Sequence, residues 1–199
     1  ADYVAAFNQF ANQIPRADRV LVCGDDPGVR ASITRSGVRW YGIDHDIARD
    51  PVACSRIPLD WAASAWHTDA QIQYFQAWYY ERTSFAMRLH HPMQIALAGL
   101  HNVKNALAAY AACIMAGADR QRVAQALATF RGARRRFEYK GMVNGVTVID
   151  DYGHHPTEVR AVLAAARQRF PGQRIIAYVQ PHTYSRTQLL APEWSSAFG

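Results

Sequence analysis

Lysine is almost missing from this chain of 199 residues: Lys104 and Lys140 are the only two, so the net charge of +6 rests on arginine. A surplus of fixed positive charge favours phosphorylated or polyanionic partners. Neither a G-x-x-x-x-G-K-[ST] loop nor a G-x-G-x-x-G turn occurs, so the two commonest backbone cradles for phosphate are excluded from these residues. Cysteine is scarce, and Cys23, Cys54 and Cys113 lack the C-x-x-C spacing of a metal or redox site. A reducing, cytoplasmic setting fits that usage. No apolar run is long enough to span a bilayer, and no basic-then-apolar leader opens the sequence, so neither export nor a membrane partner is expected. The first residue is not Met and the opening helical pattern lacks a clear cap, which reads as a piece of something longer.

Half of the residues are apolar and a fifth are charged, the balance of a soluble globular protein rather than a disordered one. Residues 1–14 carry apolar side chains at helical spacing. Residues 19–23, 27–36 and 38–43 then read as strand, helix and strand, a β-α-β unit whose two strands run parallel. Asp25 and Asp26 lie in the turn at its carboxyl edge, where capping of the next helix is the plain reading. Residues 44–70 resist assignment: Pro51 and Pro58 break any long element, and Trp61 and Trp66 are expected to pack against the sheet. Alternation from 71 to 97 predicts antiparallel strands. An Ala-rich helix around 102–118 and a second from Asp119 to Phe130 form a helical hairpin.

Gly132 and the arginines of 131–136 mark a break, and we place a domain boundary between residues 132 and 133. Beyond it, Asn144-Gly145 predicts a tight hairpin turn between 137–143 and 146–149. Pro156 starts a helix that runs to Phe170 with Glu158 in its first turn, and a strand is expected over 174–179. Strand, helix and strand again imply a second α/β sheet.

Three loops collect polar chemistry at the edges of these elements. His101, Asn102 and Asn105 fall in the first turns of the Ala-rich helix, where amide side chains can donate to and accept from a purine edge. Arginines 134–136 stand before Asp150, Asp151, His154 and His155; guanidinium forks suit phosphate, although such a run is more often a solvated face or a nonspecific RNA contact. Asp150 and Asp151 could hold Mg2+, act as a base or accept from a ribose, with helix capping the plain alternative for Asp150. The third loop, 180–187, carries His182 and Arg186. Spacing alone stops at an α/β cleft for a phosphorylated ligand.

The segments G-L-H-N-V-K-N-A-L-A-A (99–109), R-R-F-E (135–138), D-D-Y-G-H-H-P-T-E (150–158) and Q-P-H-T-Y-S-R-T (180–187), in this order and spacing, closely resemble the Mur ligases. The resemblance implies a partial central ATPase-type domain over 1–132 followed by a partial Rossmann-like C-terminal domain over 133–199. It implies an ATP- and Mg2+-dependent ligase of peptidoglycan synthesis that joins L-alanine to UDP-N-acetylmuramate through an acyl phosphate, with no nucleic-acid partner. A murein-peptide substrate, or a non-catalytic nucleotide- or RNA-binding module, are the alternatives. Position by position it assigns His101, Asn102 and Asn105 to adenine, Arg136 to the ATP phosphates and Asp151 to ribose. His154, His182 and Arg186 would face the acyl phosphate or the incoming amine. Gly153 and Thr183 depart from the family pattern, which often has Ala and Arg there. The phosphate loop and most Mg2+ ligands are expected upstream of residue 1, which leaves this chain inactive alone.

Overall fold

The computed structural model describes residues 2–46, 59–69 and 71–198; Pro51 and Pro58 lie outside them. Two compact units emerge, residues 1–95 with 103–129, and residues 96–102 with 130–199.

In the first unit, helix α1 (Tyr3–Asn12) does have a cap, because the Asp2 carboxylate accepts from the N–H groups of Val4 and Ala5. After a 3-10 turn (Ala17–Arg19), β1 (Leu21–Cys23) and β2 (Arg39–Ile43) run parallel, as the β-α-β reading requires. The helix between them, α2 (Pro27–Ser32), is shorter than 27–36. Asp26 caps it by accepting from Val29 N–H, and the β-branched pair Ile33-Thr34 leaves helical geometry at once.

Strands β3 (Trp61–Asp69), β4 (Ile72–Glu81) and β5 (Ala86–Ile95) complete a five-stranded sheet in the order β1-β2-β3-β4-β5. β3 joins β2 in parallel, and β4 and β5 are antiparallel. Trp61 is therefore part of a strand rather than cover for one, and it is almost fully buried. Helix α3 (Leu100–Met115) buries Val103, Ala106, Leu107, Tyr110 and Ala111, the i, i+3, i+4 stripe of a helix lying on a core. Asp119 accepts from Arg122 N–H at the start of α4 (Arg120–Thr129), which packs on β5.

Where α3 meets the sheet, His90 Nδ1 lies 2.7 Å from the Tyr110 hydroxyl, and the Trp61 ring stands edge-on to both. Burial pushes Tyr110 up to about 12 and pulls His90 below its ordinary range, the latter assisted by Arg120 and His91.

In the second unit, β6 (Glu138–Val143) and β7 (Val146–Asp150) form the expected hairpin. Asn144 and Gly145 both have positive φ, 51° and 78°, as a two-residue primed turn demands. Helix α5 (Pro156–Arg169) follows, then short α6 (Tyr184–Leu189) and α7 (Ala191–Ser195). The strand expected over 174–179 is not one: that stretch enters no ladder, and Ile176 and Tyr178 are largely exposed. A strand exists only through hydrogen bonds to a neighbour, and an apolar run does not supply the neighbour. Among the described residues no helix is long and apolar enough to cross a membrane.

Candidate functional site

Seven of the eight site candidates (His101, Asn102, Arg136, Asp151, His154, His182 and Arg186) lie in the second unit; Asn105 lies in the first. The first turn of α3 is where His101 and Asn102 sit. Asn102 Nδ2 donates to Ala98 O at 2.7 Å, which leaves its Oδ1 to accept from a ligand. His101 is held below its ordinary range mainly by burial; Asp151 pulls it up and Arg136 pushes it down. The ring is therefore a neutral hydrogen-bonding group at pH 7, and it lies within electrostatic reach of both Asp151 and Arg136. Asn105, one turn on, is exposed.

Asp151 sits at the end of β7 and holds the loop in shape. Its Oδ2 accepts from Phe137 N–H at 2.8 Å and its Oδ1 from Gly153 N–H at 2.6 Å. Two of its roughly four acceptor positions remain. Phe137 and Arg135 are both non-glycine residues with positive φ, 52° and 56°, and the Asp151 bond, together with the bond from Arg135 N–H to Glu138 Oε2 at 2.8 Å, holds that strained turn in place.

Asp150 does not cap the next helix. It faces Arg135 at 3.5 Å, while the helix cap comes from His155 and Glu158 in a reciprocal box. Glu158 Oε2 accepts from the N–H groups of His154 and His155 at 3.0 and 3.2 Å. Burial would raise the Glu158 pKa, but these two backbone donors, with the charges of His154 and Arg136, outweigh it and hold the carboxyl below its usual range. The spacing His155-Pro-Thr-Glu158 carried this signal, with histidine in place of the usual hydroxyl residue.

His154 Nδ1 lies 2.8 Å from Tyr152 O. A carbonyl only accepts, so Nδ1–H is the donor of this bond. The His154 ring lies 5.4 Å from that of His182 and 4.9 Å from that of Tyr152, over which the Arg135 and Arg136 guanidiniums sit at 4.9 and 5.9 Å. Arg135, Asp150, Asp151, Tyr152, His154 and His182 line one cleft of about 400 Å3, within the size range of small-molecule sites. Arg186 lies beside it in sequence and donates to His182 O at 3.2 Å. Thr183, between them, has φ of 65°, unusual for a β-branched residue. The structure thus brings His154 and His182 to one cleft, with Asp151 on its wall. Tyr152 and Glu158 are contributors that the sequence reading passed over.

In the first unit, the Asp25 carboxylate does not cap α2. It accepts from Ile43 N–H and pairs with Lys104 Nζ at 2.9 Å. Among the described residues no cluster of three or more His, Cys, Asp or Glu side chains could hold a metal ion.

Residues 135–197, which include the hairpin, α5 and the cleft, match the family model described as Mur ligase, glutamate ligase domain. Over 98% of its length the chain is 54% identical to a UDP-N-acetylmuramate–L-alanine ligase of Chloroflexus aggregans, of which it covers 41%; the chain thus spans about two fifths of the length of the curated relatives it matches. Among solved structures it resembles the UDP-N-acetylmuramate–alanine ligase of Thermotoga maritima, with a TM-score of 0.70, 23% identity, and coverage of 98% of this chain and 38% of that one. A murein peptide ligase of Psychrobacter arcticus follows, with a TM-score of 0.60, 24% identity, and coverage of 90% and 35%. These two likenesses speak for the fold alone, a mixed α/β architecture. With the loops at 99–105, 135–138, 150–158 and 180–187 all on the matched length, the chain belongs to the Mur ligase family.

Proposed function

We propose that this chain is the part of an ATP-dependent amide ligase of peptidoglycan synthesis, working in the cytoplasm, that binds the nucleotide and the amino acid. On this reading residues 1–132 are the second half of a central ATP-binding domain and 133–199 the first half of a Rossmann-like C-terminal domain. The observation that carries it is the meeting, inside one compact unit, of the first turn of α3 with Arg136 and Asp151, two charges to which half-buried His101 responds.

Asn102 Oδ1 accepts from the adenine amino group, and Asn105, three residues on and on the same side of α3, is assigned to the same base. Asp151 accepts from the ribose hydroxyls with the lone pairs its backbone bonds leave. Arg136, turned by Tyr152, reaches the phosphates. Phosphorylation of the muramoyl carboxylate makes an acyl phosphate; the amine of L-alanine forms the amide bond as the C–O bond to phosphate breaks and a proton leaves the nitrogen. His154, His182 and Arg186 face that exchange, holding the reacting groups and balancing charge rather than attacking as nucleophiles. The family resemblance assigns the Mg2+ ligands mostly to residues upstream of Ala1.

L-Alanine is preferred to a peptide amine because the relative that is 54% identical carries L-alanine in its name, whereas the murein peptide ligase is similar in fold alone. A nonspecific RNA contact is disfavoured because it leaves the His154-His155-Pro156 and Gln180-Pro181-His182 loops without a role.

The test is phosphate release with UDP-N-acetylmuramate, L-alanine, ATP and Mg2+. The full-length ligase carrying this chain should turn over, and Arg136→Ala should lower kcat/KM by about 100-fold or more, the usual effect of losing one charge-stabilising donor. The 199-residue chain alone should release none. No turnover by the full-length protein refutes the function; turnover by the chain alone refutes the division of parts.

A further inference from the structure

The first turn of α3 leans on a second helix of its own unit. Residues 96–102 belong to the second unit, while α3 from Val103 onward belongs to the first. What the turn rests on is the C-terminal half of α5. Gly99 N–H donates to Gln168 Oε1 at 3.2 Å, across 69 residues of sequence. Gly99 has φ of 92°, and a Cβ there would stand 2.9 Å from the buried Ala165 Cβ and 2.7 Å from the His101 ring. Chain, ring and α5 are thus in closest packing at this point. Two further bonds tie the turn to itself, from Asn102 N–H to Gly99 O at 2.9 Å and from Asn102 Nδ2 to Ala98 O at 2.7 Å. Moving Gly99 therefore moves Asn102.

The opposite end of α5 carries the His155–Glu158 box and, just before it, His154. One rigid helix of 14 residues spans both places.

We propose that Gln168 is a positioning residue for nucleotide binding: by accepting from Gly99 N–H it sets the first turn of α3 on α5, so that the amide of Asn102 and the ring of His101 are placed against the same frame that holds His154. The inference rests on the adenine role proposed above for Asn102. It adds a residue that touches neither nucleotide nor amine, 66 positions away from Asn102 in sequence.

The experiment is steady-state kinetics of the full-length ligase with Gln168→Ala and Gln168→Glu, alongside thermal melting. Gln168→Ala should raise KM for ATP about five-fold, the equivalent of one hydrogen bond of about 1 kcal/mol. KM for L-alanine and kcat should stay within about two-fold, since the box and His154 are untouched. Gln168→Glu keeps an acceptor at the same reach and should restore KM for ATP. An unchanged KM for ATP in Gln168→Ala, a rise shared by all substrates together with a fall in melting temperature, or failure of Gln168→Glu to restore it would each overturn the proposal. Absence of ligase turnover in the parent protein would instead refute the function on which it rests.

Discussion

Removing the Glu158 carboxylate should loosen the His154-His155 loop by an amount that the geometry bounds. Its Oε2 accepts two backbone N–H groups, at 3.0 and 3.2 Å, one of them the reciprocal half of a capping box. Hydrogen bonds to a charged acceptor contribute about 1.5–3 kcal/mol each when well buried, but the Glu158 side chain is 40% exposed, and solvent screening cuts that sharply. Cap substitutions lose about 0.5–2 kcal/mol, so Glu158→Ala should cost about 1.5 kcal/mol, or roughly 6–12 °C of melting temperature if the second unit melts as a domain of 60–100 residues. Glu158→Gln, which keeps one acceptor oxygen, should cost about half as much. Because the folded carboxyl titrates below the ordinary glutamate value of 4.5, its contribution is fully present above that pH and is lost as pH falls below it through the folded value. The assays are thermal melting of the 199-residue chain by circular dichroism at pH 7 and at pH 3.5, and amide exchange by mass spectrometry. In the variants the amides of His154 and His155 should exchange faster, and the deficit of Glu158→Gln should shrink at pH 3.5. Equal protection of those amides in parent and Glu158→Ala, or a deficit independent of pH, would refute the reasoning.

Three other outcomes follow from single contacts. With His90 titrating below the ordinary histidine value of 6.5, neutral His90 stabilises the first unit above that pH and the benefit is lost as pH falls below it; urea midpoints measured from pH 8 to pH 5 should drop in the parent and less in His90→Gln. Lys104→Met should destabilise by about 1–2 kcal/mol in urea, because it leaves the Asp25 carboxylate, only 19% exposed, without its cation; no change would mean that the pair is broken in solution. Gly99→Ala should cost more than about 1 kcal/mol, through both its left-handed φ of 92° and the collision with His101 and Ala165.

What was legible in the sequence was what local chemistry decides. Asn144-Gly145 demanded positive φ twice, so the hairpin was predictable; alternation over 71–97 marked β4 and β5; Pro27 and Pro156 marked two helix starts. β3 was missed because Trp61, Ala62, Ala63 and Ser64 are all buried, which erases alternation. The segment 174–179 misled for the opposite reason, since its apolar run has the composition of a strand but no paired neighbour. In the site, residue types in the loops were readable from the family resemblance, whereas their division of labour was not. Helix capping was the plain alternative for Asp150, but His155 and Glu158 form that cap, and Asp25 was grouped with Asp26 although it turns across β2 to Lys104. Whether a carboxylate meets a backbone N–H next to it or a cation eighty residues away is set by packing, and no pattern in the chain encodes it directly.

The claim at the centre of this account is that the first turns of α3 read adenine. Photolabelling of the full-length ligase with 2-azido-ATP, followed by peptide mapping, addresses it most directly. ATP-protectable label is expected within residues 99–105; label confined to other peptides, or label that excess ATP does not suppress, would contradict the adenine assignment.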